Sequence, residues 1–281
     1  MRQDREARVP ANAGTVRVAI PGPLEDARFL ERPNRFLVLC RLERSGEVVA
    51  AHLADPGRLR EILLPGRRSR LRPERLSERP PPRTALAQPP GGRLSPETGR
   101  TPGTAKGRDR ATAWTALLVE SPAGAGLVSL HTTLPNRLVR QALEAGVLHE
   151  LAGWSLERAE VPLGRSRIDF LLRRAAQRLA LEVKSVTLVE DGMALFPDAV
   201  TARGARHVRE LSELATRPDW QAAILFVVQR ADAHGVRAAA AIDPVFAAAL
   251  EDARRAGVHV FARRCRVALE GVELGEALPC G

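Results

Sequence analysis

The stretch that decides the fold reads Ser166-Arg167-Ile168-Asp169-Phe170-Leu171-Leu172, followed after a short interval by Leu179-Ala180-Leu181-Glu182-Val183-Lys184-Ser185. Both runs alternate as β-strands do, so side chains two residues apart share a face. Asp169 therefore points away from its apolar neighbours, and Glu182 and Lys184 lie on the same face of the second strand. If the strands pair as a hairpin, we expect two carboxylates and one ammonium group on one side of the sheet.

This group of charges indicates a divalent-metal site. Two nearby carboxylates repel each other and are costly to bury unless a cation lies between them, and Mg²⁺ or Mn²⁺ is the usual choice. The chain has only two lysines, Lys106 and Lys184, and its other basic residues are arginines. Lysine can release a proton when its pKa falls, whereas arginine does not, which favours a chemical role for Lys184. The alternative is a solvated strand face with a cross-strand salt bridge.

The residues around this hairpin predict an α/β layer with a mixed sheet. Apolar residues recur at helical spacing up to Gly146 and again over 201–215, and Asp243-Pro244 begins a third helix that ends at Gly257. Strands are predicted, in chain order, at 156–163, 166–173, 179–186, 222–228 and 258–263. The predicted order is helix, three strands, helix, strand, helix, strand.

The first third of the chain predicts a small β-barrel. Short β-rich runs occur at 15–20, 35–42, 48–53, 114–120 and 127–132, with Ser45-Gly46 as a hairpin turn and a helical turn within 58–64. This number of short strands with one small helix is typical of the OB type. We therefore expect an α+β chain, with an OB-like barrel in residues 1–132 and the mixed-sheet domain in 133–281.

A basic insert rich in Pro, Arg and Gly interrupts the predicted barrel at about residues 70–110. It holds Pro80-Pro81-Pro82 and Pro89-Pro90-Gly91-Gly92 and few large apolar residues, so it does not provide a core. Between Gly66 and Arg110, 12 basic and 4 acidic residues contribute +8 of the net charge of +10. Two interpretations of the insert stay open. It is an arm that contacts phosphates, or it is an inserted loop with no specific role.

Composition argues against several other classes of protein. The three cysteines, Cys40, Cys265 and Cys280, are far apart and form no CxxC pair, so we expect neither a disulfide scaffold nor a zinc finger, and a cytoplasmic location. No run of about 18 apolar residues is present, and the first residues lack the apolar stretch of a secretory signal. We expect no membrane association.

Asp169 and Glu182-Val183-Lys184 on consecutive strands, within this order of elements, resemble the PD-(D/E)xK nuclease superfamily. More narrowly, the chain resembles the sugar fermentation stimulation protein A family. The blocks that carry the resemblance are Leu134-Pro135-Asn136-Arg137-Leu138, the two strands quoted above with Val186-Thr187-Leu188, Phe196-Pro197-Asp198-Ala199-Val200-Thr201, and Arg203-Gly204 with His207 and Arg209-Glu210-Leu211. The resemblance extends from about Phe29 to the end and does not include the basic insert.

The resemblance implies an N-terminal OB-like domain, a C-terminal restriction-endonuclease-like domain and binding of DNA, chiefly double-stranded, without strong sequence preference. It makes Asp169 and Glu182 metal ligands and Lys184 the catalytic lysine, with Glu150 as an additional acidic ligand. Basic side chains near the site would contact DNA, and those we select are Arg58, Arg165, Arg167, Arg203, Arg206 and His207. The family name implies a link to bacterial sugar utilisation.

Two departures from the family pattern concern DNA contacts. The family's His-x-Pro-Asn-Thr-Gly-Arg stretch reads here as residues 52–58 without the Asn-Thr pair, and Ala205-Arg206 replaces a usual Gln-Lys. The leading hypothesis is a metal-dependent DNA nuclease. A non-catalytic DNA-binding transcriptional regulator that keeps the nuclease fold as a scaffold is the alternative, and an RNA-directed hydrolase is a third.

Overall fold

The structure is a computed structural model that describes residues 15–74, 112–122, 124, 126–163 and 166–281. In these residues the chain forms a closed five-stranded barrel, a seven-stranded mixed sheet, a small three-stranded sheet and three α-helices. The predicted fold class, an N-terminal OB-like barrel followed by a mixed-sheet domain, is confirmed.

The barrel consists of β2 (Glu25–Asn34), β3 (Leu37–Leu42), β4 (Val48–Leu53), β5 (Arg68–Pro73) and β6 (Trp114–Glu120). The strands follow the order β4-β3-β2-β5-β6, and a parallel pairing between β4 and β6 closes the ring. A short strand, β7 (Leu127–Ser129), pairs with β6. Inward-facing apolar residues such as Phe29, Leu53 and Leu71 fill the interior, as expected for a barrel of this size.

The start of the basic insert was predicted too early. Strand β5 continues to Pro73 because Ser69 and Leu71 are buried, while Arg70 between them forms an ion pair with Asp26 at 2.6 Å. Arginines on the outward face conceal this alternation in the sequence. Residues 75–111 of the predicted insert lie outside the described residues. The predicted helical turn within 58–64 is present as a single turn, in which Leu63 N–H donates to Leu59 O at 2.9 Å, and it does not extend into a helix.

The seven-stranded sheet has the order β1-β16-β15-β13-β10-β9-β8. Its strands are β1 (Arg17–Ala19), β8 (Ser155–Leu163), β9 (Ser166–Arg174), β10 (Gln177–Val186), β13 (Trp220–Val228), β15 (His259–Val267) and β16 (Gly271–Leu278). The central strands β10, β13 and β15 are parallel, and the outer pairings are antiparallel. Central β13 is almost wholly buried, as a parallel strand covered on both faces requires.

Strand β1 departs from the predicted division at residue 132. The sequence places this run in the barrel domain, but Val18 lies opposite Val272 of β16 at the edge of the larger sheet. Its buried side chain packs in the core of that sheet. A three-residue alternation carries no information about which sheet receives it. The other parts of the predicted domain division stay a prediction.

Three helices cover the two faces of the larger sheet. On one face lies α1 (Leu134–Glu144), which shares a core with Leu181 and Val183 of β10. On the other face lie α2 (Ala202–Ala215) and α3 (Pro244–Arg255). The remaining strands β11 (Leu188–Glu190), β12 (Met193–Phe196) and β14 (Gly235–Ala238) form the small sheet. Among the described residues, no helix has the length and apolar character needed to cross a membrane.

Candidate active site

Strands β9 and β10 separate where the candidate carboxylates begin. Their paired register ends at Leu181 opposite Phe170. Beyond that point β9 continues against β8, and β10 continues against β13. Asp169 and Glu182 are the next residues along the two strands. They therefore lie where the sheet divides, and backbone groups there need other partners.

Asp169 replaces part of the missing strand pairing. Its Oδ2 accepts a hydrogen bond from the backbone N–H of Val183 at 2.8 Å, and its Oδ1 accepts one from Nδ2 of Asn136, in the first turn of α1, at 2.7 Å. Burial raises the pKa of Asp169 above its ordinary value, and the charge of Glu182 raises it further, against the opposing effect of these two hydrogen bonds. A cation beside Asp169 would favour its ionised form.

Glu182 is a buried carboxylate, only 5% exposed. Its Oε1 accepts hydrogen bonds from Lys184 Nζ at 2.6 Å and from His207 Nδ1 at 2.8 Å. Burial alone would raise its pKa, but the hydrogen bond from His207 and the charge of Lys184 together hold the pKa of Glu182 below its ordinary value. Its Oε2 is buried with no hydrogen-bond partner among the described residues. The structure thus holds an ionised carboxylate with one oxygen available for a ligand.

The protonation of His207 follows from its two neighbours. Arg203 Nε donates a hydrogen bond to His207 Nε2 at 3.3 Å, so Nε2 acts as an acceptor. The ring proton then lies on Nδ1, which donates to Glu182. His207 is buried on α2. Its ring is 6% exposed and both ring nitrogens are hydrogen-bonded within the protein, so this placement does not support the predicted contact with DNA.

The hairpin pattern predicted that both carboxylates project from one face of the sheet, but they do not. Asp169 contacts α1, whereas Glu182 contacts α2 on the opposite face of the sheet. They approach each other through the division between the strands, and the charge of Glu182 acts on Asp169 across it. Strand alternation predicts which residues share a face within a paired ladder, but it does not predict where two strands part.

A cavity of about 290 Å³ opens beside Asp169. Arg137 and Arg140 of α1 line it, together with Asn136. These residues were not among the predicted site residues. Arg137 and Arg140 are three apart on a helix and so share a face, which, with the adjacent Asn136, was a signal available in the sequence. Two guanidinium groups in a cavity that also exposes a carboxylate suit a phosphate bound through a cation.

Glu150 does not join the pair of carboxylates. It lies on a short 3₁₀ turn after α1 and forms an ion pair with Arg263 of β15 at 2.7 Å. Asn136, which contacts Asp169, is at the other end of α1, and an 11-residue helix is about 16 Å long. Among the described residues, no three His, Cys, Asp or Glu side chains are grouped to hold a metal. The prediction of a third acidic ligand from Glu150 is not supported by this placement.

The predicted DNA-contacting arginines are dispersed. Arg58 is exposed and lines a cavity between the barrel and the larger-sheet domain, and Arg206 is exposed on α2. Arg167 forms an exposed ion pair with Glu160 at 3.2 Å. Arg165 lies outside the described residues. Only Arg203 approaches the carboxylates, and it does so through His207.

The donor set fits a hard divalent cation. Such ions take oxygen ligands and accept one or two carboxylates, with water or substrate oxygens completing the coordination. Asp169 and the unpartnered Oε2 of Glu182 could supply two carboxylate ligands from separate strands. Lys184, whose side chain is 12% exposed, brings a positive charge to the same place.

Comparison with known proteins supports this architecture. One family model, described as the sugar fermentation stimulation protein RE domain, matches residues 133–271, and the SfsA N-terminal OB domain matches residues 30–87. A sugar fermentation stimulation protein homolog from Shouchella clausii is 40% identical over 92% of this chain and 97% of its own length. The chain belongs to the SfsA family. The SfsA homolog from Moorella thermoacetica is also 40% identical, over 89% of this chain and 93% of its own.

A solved SfsA structure has the same fold. The structure of Pyrococcus furiosus SfsA in complex with Ca²⁺ superposes with a TM-score of 0.74 and 26% sequence identity. The match covers 95% of this chain and 99% of the archaeal chain. The SfsA fold therefore extends over both the barrel and the larger sheet of this chain.

Proposed function

We propose that this SfsA-family protein is a divalent-metal-dependent nuclease that binds DNA largely independently of sequence and hydrolyses its phosphodiester bonds. The observation that carries the proposal is the division between β9 and β10, where Asp169 and Glu182 are the next residues along the two strands and Oε2 of Glu182 is buried with no hydrogen-bond partner among the described residues. A purely structural charge cluster would satisfy both oxygens, because an unpaired buried acceptor is costly.

Each residue at the division has a distinct role in this proposal. Asp169 and Glu182 would hold Mg²⁺ or Mn²⁺, which when bound polarises the phosphoryl group and favours deprotonation of water. Lys184 orients the attacking water and stabilises the negative charge that develops on the phosphate oxygens. Arg137 and Arg140 bind the phosphate in the adjacent cavity.

His207 acts on the site through Glu182. Its Nδ1–H binds Oε1 and leaves Oε2 as the carboxylate oxygen without a hydrogen-bond partner among the described residues. Hydrogen bonds of this kind orient metal-binding carboxylates in proteins. The Ca²⁺ complex of Pyrococcus furiosus SfsA supports a hard, oxygen-seeking cation in this family. The names of the relatives support a link to sugar metabolism.

Cleavage of plasmid, linear duplex and single-stranded DNA with Mg²⁺ or Mn²⁺ tests the proposal. We expect cleavage by the wild type and its loss in Asp169→Asn and Lys184→Ala. Glu270→Ala, which removes an exposed carboxylate that pairs with Arg17 at 3.6 Å, serves as the control and should cleave like the wild type. Equal DNA binding by all four proteins without cleavage under either metal would overturn the proposed activity. An RNA of the same sequence, cleaved in place of DNA, would redirect the proposal to an RNA hydrolase.

A second candidate function is a non-catalytic DNA-binding regulator on the same scaffold. It is favoured by the absence, within the described residues, of a group of three metal-ligating side chains. It is also favoured by the ion pair that occupies Lys184. Titration with Mn²⁺ separates the two functions, because a nuclease requires Mn²⁺ binding that depends on Asp169 and Glu182 and a scaffold does not.

A further inference from the structure

A chain of cavities connects the barrel with the candidate active site. The first, about 460 Å³, lies beside Arg58 and Arg60 of the barrel, and the second, about 590 Å³, extends to Ser185, the residue after Lys184. The two cavities share lining residues, among them Arg35 and Val200. We name this continuous space the interdomain groove.

The interdomain groove and the cavity that exposes Asp169 are lined by neighbouring residues at the start of α1. Thr132 lines the second cavity, and Thr133, the next residue in the chain, lines the 290 Å³ cavity that contains Arg137 and Arg140. Ser185, which follows Lys184, also lines the groove. The groove thus reaches residues that are next in the chain to two parts of the candidate site.

The electrostatic character of the interdomain groove suits a polyanion. Among the described residues that line it are five arginines and two aspartates. Asp55 accepts a hydrogen bond from Gly57 N–H at 2.8 Å, and Asp198 accepts one from Leu59 N–H at 3.3 Å, so backbone donors oppose both negative charges. Arg35, Arg58 and Arg60 are exposed, and guanidinium groups in this arrangement bind phosphate oxygens well.

One feature beside the interdomain groove favours an unpaired strand over a duplex. The groove lies where the barrel loop contacts the larger-sheet domain, since Leu59 N–H donates a hydrogen bond to Asp198, a residue that lines it. Phe36, which does not itself line either cavity, follows the lining residue Arg35 in the β2–β3 turn and is 51% exposed. An exposed aromatic ring beside arginines is the usual platform on which an unpaired base stacks.

We propose that the interdomain groove binds an unpaired DNA strand, with Phe36 stacking on a base and Arg35, Arg58 and Arg60 holding its phosphates, and that it delivers this strand to Asp169 and Glu182. The proposal rests on the nuclease function proposed above and names its substrate class. It replaces the duplex expected from the sequence with single strands and single-stranded extensions of duplexes.

Binding of fluorescein-labelled DNA, measured by anisotropy in EDTA so that no cleavage occurs, tests the groove. We expect a single-stranded 15-mer to bind at least about tenfold more tightly than a blunt hairpin duplex. Phe36→Leu should weaken single-strand binding about tenfold, and Phe36→Trp should retain it, since stacking and not apolar bulk is required. Arg58→Gln should weaken binding and reduce the salt dependence by about one released ion.

The control is Arg44→Gln, in the β3–β4 turn at the opposite end of the barrel, which should change nothing. Thermal unfolding of each variant verifies that it is folded. Duplex binding as tight as single-strand binding, or an unchanged affinity in Phe36→Leu, would overturn the proposal. Tighter binding of an RNA 15-mer would overturn the assignment to DNA.

Cleavage measured on the same proteins separates this proposal from the one it rests on. If the binding results are as expected but neither Mg²⁺ nor Mn²⁺ supports cleavage, the nuclease function is contradicted, and binding of an unpaired strand in the groove is supported. If the wild type cleaves blunt duplex and neither Phe36→Leu nor Arg58→Gln alters the rate, the role of the groove in substrate binding is contradicted, and the nuclease function is supported.

Discussion

Glu182 is the side chain on which the local electrostatics of the site depend. Two donors, Lys184 Nζ and His207 Nδ1, bind one oxygen, and the other oxygen is left buried at the divided strands. A buried carboxylate with one partner would neutralise itself by taking up a proton, whereas two donors keep its pKa low. The same two bonds determine which oxygen faces a ligand.

His207→Leu tests this positioning role. The substitution removes the Nδ1 donor, and we expect the Mn²⁺ affinity, measured by calorimetry, to fall about tenfold or more, as for other residues that orient metal ligands. His207→Asn places an amide N–H near the position of Nδ1 and should lose less. Arg206→Ala, on the exposed side of the same helix, should bind Mn²⁺ like the wild type. Wild-type affinity in His207→Leu would show that Glu182 does not need this donor.

A second buried charge, Arg230, predicts a dependence of stability on pH. Its guanidinium is 3% exposed and binds both oxygens of Asp232, at 2.8 and 2.6 Å. Burial opposes ionisation of Asp232, but the hydrogen bonds and charge of Arg230 lower its pKa from 3.8. The ionised form is therefore favoured by folding. This stabilisation is complete above the unfolded-state pKa and is lost as the pH falls through the lower folded-state pKa.

Asp232→Ala should therefore reduce the free energy of unfolding at neutral pH by about 3 kcal/mol, because it leaves Arg230 buried and unpaired. In urea unfolding at a series of pH values, its deficit should shrink in acid, below the ordinary pKa of an aspartate. Glu270→Ala removes an exposed partner of Arg17 and should cost little. A deficit that is constant down to the most acidic pH would contradict the role of this pair.

At the scale of elements, the starts of two helices are joined by one side chain. Asp243 is 2% exposed, and its Oδ1 caps α3 by accepting from Phe246 N–H at 2.9 Å. Its Oδ2 accepts from the backbone N–H of Thr201, the residue that caps α2, at 2.7 Å. Asp243 thus fixes the start of α2, the helix that carries His207, relative to α3.

Asp243→Ala should cost about 2–3 kcal/mol of unfolding free energy, since it leaves two backbone donors without their acceptor. Asp252→Ala on the same helix provides the matched control. That side chain is exposed in an ion pair with Arg255 at 3.4 Å and should change the free energy by no more than about 0.5 kcal/mol. Urea unfolding of both variants measures the difference. Equal costs would mean that Asp243 does not join the two helices.

The longer elements could be predicted from the sequence because their patterns are local. The Asp243-Pro244 start of α3, the helical spacing of α2 and the apolar run of β13 each contain their own signal. The short strands β11, β12 and β14 could not be predicted, since three or four residues do not establish a period. The division between β9 and β10 depends on pairing across the sheet, so the side chains around it, Asn136 and His207, were not foreseen as its partners.

At the scale of the whole molecule, the interdomain groove depends on a close approach between the two domains. Gly57 of the barrel lies against Asp198 of the other domain, and a Cβ at this position would be 2.5 Å from Asp198 Oδ2. The same carboxylate accepts the hydrogen bond from Leu59 N–H. Glycine here allows the backbone of the barrel loop to approach the carboxylate of Asp198, a residue that lines the groove.

Gly57→Ala should displace Asp198 and lower the free energy of unfolding by about 1–3 kcal/mol, the usual cost of overpacking. A double-mutant cycle with Asp198→Ala tests the mechanism. If the clash with the Asp198 carboxylate is the main cause, Gly57→Ala should cost much less once Asp198 has been replaced, although Asp55 Oδ1 would still be 3.0 Å from the added Cβ. Thermal unfolding of the wild type, the two single variants and the double variant measures the coupling. Strictly additive costs would show that the effect of Gly57→Ala does not depend on Asp198.

The most direct test of the proposed metal site is the anomalous scattering of Mn²⁺ in crystals of the wild-type protein. We predict one peak at the division between β9 and β10, within ligand distance of Asp169 and of Oε2 of Glu182, and its loss in Asp169→Asn. A fully soaked crystal with no density there, or with manganese only at other carboxylates such as Glu150, would contradict it.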